Sequence, residues 1–214
     1  KLRMQETARI LNTCEDLYCI GFQEVTDRLQ MYLAPALHDY QFYRQPSAQY
    51  GCSLAVHNCV RVLDQGWQRY RNTVMQRGFL YVRVELPSKH QIILTTTHLE
   101  SFTGPQYTGV DQRAPQLREM ESWCNQQFSI SDNLNGCIMT GDMNWKDETD
   151  HGKGTDPVMG TVVPLWQDAW LTTRTSGGSC FTYDGKRNPM LCNTLKRRFD
   201  RILLRSVAAK STSL

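Results

Sequence analysis

The chain has 214 residues, 40% of them hydrophobic, and 24 Lys and Arg against 21 Asp and Glu leave a net charge of +3. That length can bury a substantial core in one large domain or two small ones, while a charge so mild does not by itself identify a nucleic-acid partner. The apolar runs are far shorter than the roughly 20 residues that cross a bilayer, which excludes a membrane-spanning helix and predicts a soluble chain.

Lys1-Leu2-Arg3-Met4 leads into amphipathic sequence rather than the apolar stretch of a signal peptide, and the chain starts on Lys, as a piece of a longer protein would. No repeat, low-complexity tract or Pro/Gly/Ser-rich linker divides it, so a single domain over 1–214 is expected. The eight cysteines include no C-x-x-C pair, and Cys19 and Cys137 sit in apolar strand-like runs. Reduced thiols in the cytosol or nucleus are therefore expected in preference to disulfides or zinc.

Leu2 to Asn12 reads as a helix and Leu17 to Phe22 as a strand so apolar that both faces are covered. Gln23-Glu24-Val25 follows, and a carboxylate there must be exposed, paired or bound to a cation. Thr26 caps a second helix running through Leu33 to Leu37. Short strands are expected over Tyr40 to Tyr43, Cys52 to His57 and Arg61 to Leu63, with Gln45 to Gly51 a polar loop and His57 structural or edge-exposed. Phe79 to Leu86 alternates firmly, with Leu80, Val82, Val84 and Leu86 on one face. Pro87-Ser88-Lys89-His90 turns it into an antiparallel hairpin with Gln91 to Thr97.

That strand delivers Thr97-His98-Leu99-Glu100-Ser101, where His98 is either an exposed polar residue or a phosphate ligand. Asp111 to Phe128 is a long helix, after which the chain returns as the strand Ile138-Met139-Thr140. It ends in Gly141-Asp142-Met143-Asn144. The carboxylate and carboxamide two residues apart share one face of an extended chain; they form an ordinary strand exit or a pair that holds and deprotonates a water beside a phosphate. Lys146 to Gly154 reads as a charged surface loop, Leu165 to Leu171 as a short helix, and Cys180 to Tyr183 and Arg198 to Leu204 as the last strands. Asp200 in that last strand needs a partner. Lys196-Arg197-Arg198, Arg201 and Arg205 make a phosphate-binding cluster or a solvated basic face. Hairpins interspersed with covering helices predict an α/β fold of α+β type, two packed sheets with helices outside.

The polar tips recur in a fixed order: Q-E-V at 23–25, T-H-L-E-S at 97–101, G-D-M-N at 141–144 and R-F-D-R-I at 198–202. This set resembles the endonuclease/exonuclease/phosphatase superfamily, with its deoxyribonuclease-I-like four-layer sandwich of two mostly antiparallel or mixed sheets flanked by helices. T-H-L-E-S, D-A-W after Gln167, F-T-Y-D at 181–184 and R-F-D-R-I are most similar to its tyrosyl-DNA phosphodiesterase 2 branch. The resemblance implies Glu24 as the ligand of Mg2+, with Mn2+ as a substitute. It implies Asp142 as the group that orients or deprotonates the attacking water, Asn144 as its partner at the phosphate and His98 as a donor to the phosphoryl oxygen. Asp200 would orient a catalytic histidine. Lys146 matches a basic substrate contact, and Tyr183 and Phe199 match an aromatic wall for single-stranded DNA.

Two family parts have no counterpart: an opening strand with an active-site Asn and a closing Ser-Asp-His strand. Thr149-Asp150-His151 imitates the latter but precedes R-F-D-R-I. A sandwich lacking its first and last strands is therefore expected. The function implied is that of a monomeric, magnesium-dependent phosphodiesterase acting on blocked DNA 5′ ends in DNA repair. A phosphoinositide or sphingomyelin phosphohydrolase of the same fold is the alternative, as is a non-catalytic nucleic-acid- or protein-binding homologue.

Overall fold

The computed structural model describes residues 2–46, 49–104, 106–147, 155–173 and 181–206. The chain opens with helix α1 (Leu2–Asn12), strand β1 (Cys19–Thr26) and helix α2 (Asp27–Leu33). Strands β2 (Tyr40–Arg44), β3 (Tyr50–His57), β4 (Arg61–Arg69), β5 (Gly78–Glu85) and β6 (Gln91–His98) follow, then helix α3 (Val110–Ile130) and strand β7 (Leu134–Asp142). Short elements close the chain: α4 (Met159–Val162), β8 (Gln167–Asp168), α5 (Ala169–Thr173), β9 (Tyr183–Asp184) and β10 (Lys196–Arg197), before the longer β11 (Asp200–Ser206).

They make a six-stranded sheet in the order β4-β5-β6-β7-β11-β8, a three-stranded sheet in the order β1-β3-β2, and a two-stranded ribbon of β9 and β10. The β6–β7 pair is parallel because α3 crosses between them; the other pairs are antiparallel. Three apolar clusters separate four layers. Ile20, Leu37 and Ala55 pack beneath the first helices, and Leu54, Val56, Leu80, Val82, Val84 and Leu94 lie between the two sheets. Ile93, Leu117, Met120, Cys124, Met139 and Leu203 fill the space under α3. The β5 alternation expected from sequence is thus the sheet-to-sheet interface, where each fully buried Val or Leu contributes about 1.5–3 kcal/mol.

The small sheet lies over β5, β6 and β7. It stops short of β11, so Ile202 on that strand is 50% exposed. Ile202, the start of β1 and Trp170 line a groove of about 590 Å³.

Several sequence expectations change. Arg61 to Leu63 extends to Arg69, because a bulge between Val62 and Asp64 absorbs the turn-like Asp64-Gln65-Gly66. The second helix stops at Leu33, and Pro35 lies in a 3-10 turn at Ala34–Ala36 instead of continuing it. Leu165 to Leu171 is not one helix. Gln167 and Asp168 pair with Leu204 and Leu203 of β11, and the Asp168 carboxylate then accepts the Trp170 amide at 3.1 Å, so helix α5 begins only after it.

The charged loop expected from Lys146 onward is also corrected. Asp147 is buried, 3.2 Å from the Arg201 guanidinium. Residues 148–154, including Thr149-Asp150-His151, fall outside the described residues. The basic cluster is not one solvated face: Arg198 and Arg201 are buried on Asp168 and Asp147, and the Arg205 guanidinium lies 4.9 Å from the Phe128 ring centre. The seven described cysteines are free thiols. His57 sits at the Cys19 end of the small sheet, its ring edge-on to Tyr40.

Candidate active site

Strand register gathers the site. His98 at the end of β6 lies opposite Asp142 at the end of β7, and Asp142 lies opposite Asp200 at the start of β11. Three residues far apart in sequence therefore form one row across adjacent strands. The row is fixed by the backbone, since Leu99 N–H donates to the Asp142 carbonyl at 3.0 Å and Met143 N–H to that of Phe199 at 2.8 Å.

Gly141 makes the close approach possible. A Cβ there would fall 2.1 Å from the Thr97 carbonyl oxygen, at a φ of +155°. The next residues fold back as a tight polar turn: the Asn144 amide donates to Asp142 Oδ1 at 2.9 Å, with Asn144 at a left-handed φ of 47° that asparagine tolerates. Asn144 Nδ2 then donates to the Leu99 carbonyl at 3.2 Å and to Ser101 Oγ at 3.0 Å. Its carboxamide thereby ties the turn after β7 to the segment that follows β6.

The electrostatics single out Asp142. Burial, then the neighbouring Asp200 charge, and further down Glu24, push its carboxyl up to about 6, against the backbone hydrogen bond from Asn144 and the Arg77 charge. His98 moves the opposite way, to about 3, through burial and then the Arg77 guanidinium. Its Nε2 stands 3.7 Å from Asp142 Oδ2. Asp200 is exposed, and no cation pairs with it among the described residues. The partner expected for an acid in an apolar strand is therefore missing there, because the carboxylate sits at the strand's first residue, where water reaches it.

Glu24 does not follow its strand, as the sequence suggested, but lies inside it. Gln23 and Glu24 bulge out between the Phe22–Ser53 and Val25–Gly51 pairs, and Glu24 takes a left-handed φ of 57°. The bulge aims an exposed carboxylate toward the end of the sandwich where Asp142 feels its charge. Gln23 anchors the bulge by donating to Thr96 Oγ1 on the facing sheet at 2.7 Å.

Lys146 lies two residues beyond Asn144, its ammonium 5.5 Å from the Phe102 ring centre. Burial and then Arg113 hold its pKa below the ordinary lysine value. Tyr183 and Phe199 form one edge-to-face pair, ring centres 5.6 Å apart, and Phe199 immediately precedes Asp200. All eight sequence-selected residues thus belong to one end of the sandwich. Arg77 escaped sequence reading. It is buried beside His98, with Nη1 3.0 Å from the ring Nδ1, yet it precedes β5 in no recognisable motif.

Among the described residues no three His, Cys, Asp or Glu side chains converge as a ready-made metal site. The carboxylate-rich donor set still suits a hard cation. Mg2+ keeps several waters and takes only one or two protein carboxylates, and Asp142, raised by burial first and then by the Asp200 charge, has such carboxylates beside it.

No family model and no curated protein sequence matches the chain. Solved structures do. Two Caenorhabditis elegans TDP2 structures are 21% identical over 96% of this chain, a truncated form with TM-score 0.72 and 77% of its length covered, and another with 0.73 and 60% covered. Danio rerio TDP2, complexed with a single strand DNA product, is 22% identical, with TM-score 0.73, over all of this chain and 80% of its own. The fold is that of the endonuclease/exonuclease/phosphatase structures. A Bacteroides thetaiotaomicron mannosyl-6-phosphatase shares it with TM-score 0.70 and 14% identity, over 95% of this chain and 76% of its own. No helix among the described residues is long and apolar enough to cross a membrane.

Proposed function

We propose that this chain is a magnesium-dependent phosphodiesterase that hydrolyses DNA 5′ ends carrying a blocking adduct, of the 5′-tyrosyl kind. The observation that carries the reading is the row of His98, Asp142 and Asp200 with Asp142 pushed up to about 6. A carboxylate with that affinity for protons is a competent base for water near neutral pH and still ionised at pH 7. The single strand DNA product bound to the D. rerio protein supports the substrate class.

In this reading Asp142 takes a proton from the water that attacks phosphorus, and Asn144, locked by Ser101 and the Leu99 carbonyl, orients that water or the phosphate. His98 donates a hydrogen bond to the non-bridging oxygen as its charge grows. Glu24 would hold a hard divalent cation, which would supply charge neutralisation at the phosphate. Tyr183 and Phe199 offer a ring face to an unpaired base, which tolerates any sequence, and Lys146 answers a backbone phosphate.

Asp142→Asn tests the reading in the full-length protein. Turnover of a 5′-phosphotyrosyl oligonucleotide should fall about 10³-fold or more while the melting temperature is kept. Unchanged turnover removes Asp142 from the mechanism. Wild-type preference for inositol phosphates or sphingomyelin over DNA ends replaces the substrate class.

A further inference from the structure

Arg77 has no role in the chemistry above, yet two of its nitrogens end on groups at the phosphate site. A neutral imidazole donates from one ring nitrogen only, and which one is set by what the other nitrogen meets. His98, held neutral around pH 7 by burial and the adjacent cation, is such a ring. Arg77 Nη1 lies 3.0 Å from His98 Nδ1. A guanidinium has donors and no acceptor, so Nδ1 must accept and the ring hydrogen must sit on Nε2.

The same guanidinium acts on Ser101. Its Nη2 donates to Ser101 Oγ at 3.1 Å, and Asn144 Nδ2 donates to that oxygen at 3.0 Å. Two donors fill the two lone pairs of a hydroxyl, which leaves its own hydrogen to point elsewhere. His98 Nε2, 3.3 Å from Oγ and 3.7 Å from Asp142 Oδ2, is then the longest of three donor contacts on the serine oxygen. The serine hydrogen and the weakly engaged Nε2 hydrogen can then turn to an incoming oxyanion.

Arg77 is itself held firmly. Buried Glu100 accepts the Thr73 hydroxyl at 2.9 Å, the Val74 amide, and the Met75 amide at 2.8 Å, all on Oε1. Thr73 Oγ1 in turn accepts the Arg77 amide at 2.7 Å, which ties the loop before β5 to Glu100. Arg77 Nε stands 4.0 Å from Glu100 Oε2, a buried ion pair with no hydrogen bond between these two atoms, which leaves both Nη groups to their own partners.

We propose that Arg77 is a positioning residue that fixes His98 as its Nε2–H tautomer and frees the Ser101 hydroxyl hydrogen, so that two neutral donors face the phosphate. The proposal rests on the phosphodiesterase reading for its purpose, but the tautomer is a property of the folded chain alone. The arrangement leaves the oxyanion two donors already held at the site.

The test is a nitrogen-15 spectrum of the full chain with labelled histidine, in which two-bond couplings separate the tautomers. Wild type and Arg77→Lys, which keeps a donor, should show His98 as Nε2–H. Arg77→Met, or Arg77→Gln if the Met variant does not fold, should populate Nδ1–H. In parallel, kcat on a 5′-blocked oligonucleotide should fall about 10- to 100-fold in Arg77→Met with KM nearly unchanged, and Arg77→Lys should recover part of it. The same change made on a His98→Ala background should cost little more than His98→Ala alone. An undiminished Nε2–H signal in Arg77→Met overturns the proposal, as does an equal loss with His98 absent. A wild-type chain that hydrolyses no phosphodiester defeats the functional reading, while the spectra still decide the tautomer.

Discussion

Strand β11 and the residues just before it carry two kinds of charge, and they behave oppositely. Arg198 and Arg201 are buried and matched: Arg198 lies 2.8 Å from Asp168, and Arg201 lies 3.2 Å from Asp147 and 3.6 Å from Asp168. Asp200, between them in sequence, is exposed and faces Asp142, a carboxylate against a carboxylate, with the charge of Glu24 added. The first set neutralises itself and holds β8, β11 and the loop after Asn144 together. The second sets like charges side by side at the end of the sandwich, opposed at Asp142 by the Arg77 guanidinium. Adjacent residues of one strand thus divide between structure and chemistry according to whether their charge is compensated inside the fold.

The comparison makes its largest demand on stability. Arg201→Met leaves Asp147 and part of Asp168 buried without their cation and should cost about 3–5 kcal/mol in denaturant unfolding. Asp200→Asn should leave stability nearly unchanged or raise it, since it removes a repulsion. A destabilisation by Asp200→Asn comparable to that of Arg201→Met would erase the distinction.

The next effect is on base stacking. Phe199→Ala should weaken binding of a single-stranded oligonucleotide by about 1–3 kcal/mol, with little dependence on its sequence, measured by titration at fixed salt. A loss confined to one base would replace the stacking wall by base-specific contact.

The smallest effect concerns pH. Activity should rise with pH through about 6 as Asp142 loses its proton, and Asp200→Asn should move that limb to lower pH by removing a like charge. Stability should respond with two signs. The Asp142 carboxyl is raised from 3.8 to about 6, so between those values the folded state holds more protons and this group's contribution falls as pH rises. The His98 imidazole is lowered from 6.5 to about 3, so across that window the unfolded state holds more protons and its contribution grows with pH. Asp142→Asn should therefore steepen the gain in stability between pH 4 and 6 as followed by chemical unfolding, and His98→Gln should flatten it. The reverse order of slopes would mean that one of the two groups is not buried as described.

Much of the site was legible in the sequence because a strand tip has a local signature. An apolar run broken by Gly141 and followed by Asp142 and Asn144 announces both the strand and the side chains at its end, and Thr97-His98 does the same after the β5–β6 hairpin. Glu24 was found with the wrong backbone, since a bulge depends on how the partner strand is registered, and nothing within Gln23-Glu24-Val25 encodes that. Asp147 was misjudged for a similar reason. A run of charged residues looks solvated until the fold brings up Arg201, 54 residues later in the chain.

By itself, the sequence determined the apolar periodicity that makes two sheets and their covering helices, and the order in which polar groups arrive at strand ends. Both are local properties, set by side-chain alternation and by the short-range geometry of glycine and asparagine. Tertiary structure alone decided which charges would be neutralised, that Asp142 would face Asp200, and that Arg77 would meet His98 across 21 residues of chain. Those outcomes follow from strand register and burial, which fix distance and desolvation together, and the strength of an electrostatic contact is a function of both.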